Sequence, residues 1–171
     1  REFMNFEPEA WSLRWYRQMV GIASVGDTTV VSNKWMLGTR NSFIIGISAT
    51  FLATALGTVA ALGLSRRNMP FKGTIMAILI SPMIVPLIIT SAGMFFFYSK
   101  IGLTHTYLGL ILAHTALGTP FVVITVTATL TGFDTNLIRA SQSLGADTMR
   151  TFFKVIMPLI LPGVISGALF A

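Results

Sequence analysis

Side chains able to do covalent or proton chemistry are few in this sequence and poorly placed for it. There are two histidines and no cysteine. His114 stands alone in an apolar run with no second ligand beside it, so it reads as a packing group before a metal or proton site. No carboxylate pair, Ser–His–Asp set or metal-ligand cluster stands out. No G-x-x-x-x-G-K-[ST] loop is present to cradle phosphate. No catalytic residue, metal or cofactor is expected, and no nucleic-acid partner. The chemistry that remains is recognition, and it is concentrated in Arg139–Gly163, RASQSLGADTMRTFFKVIMPLILPG. This stretch is polar and helix-forming, and it sits between two long apolar runs.

Its local grammar is that of two short helices. The Asp134 carboxylate can cap a first helix. Thr135–Leu144 then runs without a breaker, and Gly145 suits the left-handed position that ends a helix. Asp147 can cap a second helix, whose Met149, Phe152, Phe153 and Ile156 are spaced for one face. In the first helix Leu137, Ala140, Ser141 and Leu144 share a face by the same spacing. Pro158 and Pro162-Gly163 mark entry into the next apolar run. A mere connector would not need two caps, a glycine stop and an apolar stripe.

The elements that must position this segment are membrane spans. The chain has 171 residues, 53% hydrophobic and 11% charged, against roughly 25% charged in soluble domains. Asn41–Ser65, Gly73–Ser99 and Ile101–Phe133 carry no charge at all. An uncharged apolar run of about 18 residues or more reads as a transmembrane helix. The expected fold is an all-α polytopic helical bundle with spans at 41–64, 73–97, 107–131 and 157–171, joined by an external segment at 1–40 and a cytoplasmic segment at 132–156. REFMNFEPEAW does not read as a signal peptide. Val164–Ala171 lies inside an apolar run, so a first span upstream and the rest of the last span downstream are expected beyond this chain.

Charge sets the orientation. Ser65–Lys72 carries Arg66, Arg67 and Lys72 without an acid, and Gly132–Ile156 carries Arg139, Arg150 and Lys154. Short Lys/Arg-rich loops stay in the cytoplasm, which leaves the Lys100 loop outside. Phe95–Tyr98 and Tyr107 then fall at the outer interface, where aromatic rings settle. Ala49, Ala53, Gly57, Ala61 and Ser65 recur every four residues, a flat ridge that lets another helix approach. Pro82, Pro86 and Pro120 interrupt spans and can bend them. With Ser81, Thr90, Ser91, His114 and Thr119 at similar depths, they read either as a substrate path or as ordinary interhelical hydrogen bonding. Uncharged spans argue against a proton- or ion-coupled carrier.

The segment resembles the transmembrane permease subunits of binding-protein-dependent ABC importers, the type I family marked by an E-A-A start, a following Gly, a Phe, then L-P and Pro-Gly. Ala140 and Ser141 stand at the two alanines, Gly145 at the glycine with Ala146 after it, Phe152 at the aromatic, Pro158 at the first proline and Pro162-Gly163 at the last pair. Arg139 stands where the family has an acid. The resemblance continues through SLRWYRQM, SPMIVP, LAHTALGTPFVV and LTGFD, and is closest in appearance to the spermidine/putrescine-type branch. It implies a non-enzymatic transport subunit of a bacterial inner membrane. A cytoplasmic coupling helix would dock on separate ATP-binding subunits through Arg139, Ala140, Ser141, Leu144, Gly145, Ala146 and Phe152. Ser81, Pro82, Pro86, His114 and Pro120 are the candidates for the translocation path. The implied partners are the ATP-binding subunits, a second permease subunit, homologous or identical, an external solute-binding protein and membrane lipid. The implied solute is polyamine-like; phosphonate, ferric iron or another small solute is the alternative cargo, and a non-transporting membrane scaffold the alternative class.

Overall fold

The computed structural model describes Tyr16 and residues 34–171 apart from Arg67. Most of the expected external segment and of the SLRWYRQM motif lies outside the described residues. By contacts the chain divides into Arg1–Ile44 and Ile45–Ala171. Among the described residues there are helices and no strands. They are α1 (Lys34–Leu64), α2 (Lys72–Ile84), α3 (Leu87–Ile101), α4 (Tyr107–Thr131), α5 (Asn136–Ser143), α6 (Thr148–Thr151) and α7 (Met157–Phe170), with a π-helical segment, Phe152–Ile156, between α6 and α7.

The apolar runs become helices long enough to cross a bilayer at Trp35–Leu64, Tyr107–Thr131 and Thr148–Phe170. The expected span at 73–97 is different. It divides into α2 and α3, bent by 100° at the break. Pro82 lies inside α2, and Pro86 is the cap residue before α3. Pro82 and Pro86 have no N–H to give to the carbonyls four residues back. At Pro82 the ladder is repaired, because Ser81 Oγ donates to Ile78 O at 2.8 Å, the carbonyl that a residue at 82 would normally engage. At Pro86 no such repair is seen, and the chain turns with Val85 extended at φ −73°, ψ 134°.

In the second unit the small-residue ridge of α1 is buried as its spacing implies: Ala53 and Ala61 are fully covered and Ala49 nearly so. A Cβ built on Gly57 would lie 2.6 Å from Val122 Cβ, so α1 approaches α4 almost backbone to side chain. The helix α7 packs on α4 through Gly163 and Gly167, whose added Cβ atoms would strike Thr129, Thr125 and Val122. Ala61, Val122, Val126 and Ile160 form the buried centre of α1, α4 and α7. The helix α2 also leans on α4. Close approach through small side chains is how helices associate where lipid supplies no hydrophobic drive.

Candidate functional site

The segment after α4 folds as a short helix, a glycine turn and a second helix. Asp134 accepts from the Asn136 N–H at 2.9 Å, one position earlier than a standard cap. Asp147 is a full N-cap, accepting from the Arg150 N–H at 2.7 Å. Between them Gly145 has φ +82°. The Gly145 N–H donates to Gln142 O at 3.0 Å and the Ala146 N–H to Ser141 O at 3.1 Å. That pair of bonds is a Schellman motif, which uses two carbonyls that the end of α5 would otherwise leave open.

Gly145 is required by this geometry, because a side chain at positive φ is strained. Gly145→Val is expected to cost about 1–3 kcal/mol locally and to open the turn. Trypsin cleavage at Arg139 and Arg150 should accelerate about ten-fold, the factor for roughly 1.4 kcal/mol, while Gly145→Asn stays near wild type. Wild-type cleavage rates in the valine variant would mean that the turn does not depend on this backbone conformation.

The seven residues expected to form a docking surface separate into two groups. Arg139, Ala140, Leu144 and Gly145 are exposed, and Leu144 reaches 88% exposure. Ser141, Ala146 and Phe152 are half-buried. Ser141 does not share the outer face with Ala140 and Leu144. Its Oγ lies 2.6 Å from Thr151 Oγ1, and Thr151 is buried. Ile138, Gln142, Phe152 and Ile156 line a cavity of about 500 Å³ with Leu62 and Arg66 of the α1 end and Leu130 of α4. The apolar face presented outward is therefore Leu137, Ala140 and Leu144, flanked by Arg139.

The apolar stripe of the second helix is also rearranged. Met149 and Phe153 are exposed, whereas Phe152 and Ile156 turn toward the cavity. From Phe152 onward the helix is π-helical: Met157 N–H donates to Phe152 O, five residues back, so the 3.6-residue period used to assign one face does not hold there. Phe152 and Phe153 meet edge to face with centroids 5.1 Å apart.

The candidates for a translocation path are not brought together. His114 lines a cavity of about 470 Å³ with Ser91, Tyr98 and His105 at the α3–α4 turn. Ser81 is engaged with its own helix, Pro82 and Pro86 flank the break between α2 and α3, and Pro120 is fully buried. Thr119 likewise bonds back to Thr115 O at 2.6 Å. Gly167 and Thr151 were missed from the sequence, and the packing role of Gly163 with them. Gly163 and Gly167 form a G-x-x-x-G pair, a spacing that marks helix contacts. Thr151 carries no sequence signal at all.

These helices and the short helix–glycine–helix element define a multi-pass, all-α membrane protein with a polar segment between two of its apolar helices. The chain belongs to the family of binding-protein-dependent transport system inner membrane components, whose model matches residues 31–171. It is 32% identical over 127 residues to the spermidine/putrescine transport system permease protein PotC of Haemophilus influenzae, covering 74% of this chain and 49% of that protein. It is 32% identical over 130 residues to the osmoprotective compounds uptake permease protein GgtD of Synechocystis, covering 76% and 44%. Against PotC of Escherichia coli it is 25% identical over 164 residues, covering 95% and 61%. The chain spans about half the length of the curated relatives it matches.

Proposed function

We propose that this chain is a membrane-spanning permease subunit of an ABC importer in a bacterial inner membrane, and that α5 is its coupling helix. The observation that carries the reading is the exposed apolar face Leu137–Ala140–Leu144 on a helix whose opposite side is fastened to the rest of the chain. In water such a face is covered by another protein, and an ATP-binding subunit is the partner implied by the family. The basic loops place Arg66, Arg139, Arg150 and Lys154 in the cytoplasm and Lys100 outside. The bent pair α2–α3 then crosses the membrane as one broken span. A second permease subunit completes the path, an external binding protein delivers the solute, and ATP hydrolysis belongs to the separate subunits.

The solute is polyamine-like in this reading, supported by the names of the PotC relatives. The full-length permease, copurified with its ATP-binding subunits and reconstituted with the binding protein, is expected to hydrolyse ATP several-fold faster when spermidine or putrescine is added. Stimulation by a neutral osmolyte instead would keep the importer and change the cargo. Copurification without stimulation by polyamines, osmolytes, phosphonate or ferric iron would favour a scaffold that recruits a partner and transports nothing.

A further inference from the structure

We infer that the Ser141–Thr151 hydroxyl pair is a clasp that makes the coupling helix and the last span move as one body. The inference builds on the reading of α5 as the coupling helix. Motion of α5 can reach α7 through the packing of α5 on α6 and on the π segment, and by two covalent or hydrogen-bonded routes. One is the chain itself, which passes through the glycine turn at 145 and the cap at Asp147. The other is the direct bond from Ser141 Oγ to Thr151 Oγ1, 2.6 Å long and spanning ten positions of sequence.

The second route is short and stiff. Ser141 Oγ also lies 3.3 Å from Ile138 O. With Ser141 donating there, Thr151 is the donor to Ser141, and both hydroxyl protons are used. Thr151 is 2% exposed and is the residue immediately before the π segment. That segment runs without a break into α7, which is held against α4 by Gly163 and Gly167. A pull on α5 is thus delivered to the base of the last span through a buried hydroxyl pair as well as through packing. Beneath α5 lies the cavity of about 500 Å³ lined by Ile138, Phe152 and Ile156, so the clasped unit has room to shift. Without the clasp, the left-handed glycine turn can absorb the motion, since glycine tolerates a wide range of backbone angles. The family pattern places alanine at 141, so the serine here adds a contact that alanine cannot make.

These 171 residues contain no cysteine, and any cysteine elsewhere in the full-length permease is replaced by serine for the test. Nitroxides at Ser143→Cys and Ile165→Cys, both exposed, report the distance across the clasp in the full-length permease, alone and with its ATP-binding subunits, before and after ATP is trapped. Wild type is expected to give one narrow distance that ATP does not change. Thr151→Val, which keeps shape and removes the hydroxyl, and Ser141→Ala should broaden the distribution and make it ATP-dependent. Solute moved per ATP should fall about five-fold in both, the factor for losing one buried neutral hydrogen bond. Thr151→Ser should restore both readouts, and the double variant should be no worse than either single one. Wild-type distances in both variants, or a wild-type distance that itself shifts with ATP, would overturn the clasp. Failure of the ATP-binding subunits to copurify with wild type would instead overturn the importer reading, and the broadening in the isolated permease would still decide the clasp.

Discussion

Gly167→Val is expected to leave less than about a tenth of the chain folded in the membrane. A Cβ at 167 would sit 2.5 Å from Thr125 Oγ1 and 2.8 Å from Val122 Cα. The second neighbour is backbone of α4, so no rotamer change relieves it. The helices must separate, and separation uncovers Ile160, Val122 and Val126, all fully buried. Overpacking costs about 1–3 kcal/mol even where side chains can shift, and here the backbone must move, so a larger loss is expected. Gly93→Ala is the control, since no atom lies within 4 Å of the added carbon. Size-exclusion profiles of detergent-extracted full-length protein would decide the matter. A valine variant as abundant and monodisperse as Gly93→Ala would show that α7 does not pack on α4 through this glycine.

Ala140→Arg is expected to abolish copurification of the ATP-binding subunits without loss of the permease from the membrane. Ala140 is exposed, so arginine meets no steric conflict within the chain. In the proposed complex it lies between Leu137 and Leu144 at the centre of the contact. An unpaired charge forced into a desolvated site costs about 3 kcal/mol or more, about a hundred-fold in affinity. Arg139→Glu acts at the rim, where a charge alters association more than contact energy, and it should retain the partner. The reverse pattern, with full retention in Ala140→Arg and loss in Arg139→Glu, would place the contact on the other side of α5.

Where local rules decide structure, the sequence was readable. The bounds 107–131 of α4 follow from an uncharged run between polar turns. The four-residue spacing of small side chains marked the buried ridge of α1. The glycine conformation at 145 and the cap at Asp147 follow from short-range stereochemistry. What failed depended on information that periodicity does not hold. The prolines marked a disturbance in 73–97, yet a missing donor covered by a neighbouring hydroxyl at Pro82 and a 100° turn at Pro86 look alike in sequence. The π segment gives one turn an extra residue, so the 3.6-residue period does not carry through Phe152–Ile156, where Phe153 is exposed while Phe152 and Ile156 are half-buried. Ser141 was assigned outward with Ala140 because helical spacing puts the two side by side. The partner that draws it inward, Thr151, lies beyond the turn. Several threonines here bond back to a carbonyl four residues earlier, as Thr115 and Thr129 do, and nothing in the sequence sets Thr151 apart from them.

The break between α2 and α3 bears on how this chain enters the membrane during synthesis. Helices of 13 and 15 residues are only about 20 Å long each at 1.5 Å per residue, short of a hydrocarbon layer of about 30 Å. Neither half can partition into lipid as an independent stop-transfer unit. At the turn, the Pro82 carbonyl that Pro86 leaves without a donor is also poorly tolerated in contact with acyl chains. The helix that α2 leans on is α4, and α4 leaves the ribosome later. The segment 72–101 is therefore expected to wait at the translocon until α4 arrives and to enter the bilayer as part of that pair, so that insertion and tertiary packing of this stretch are a single event.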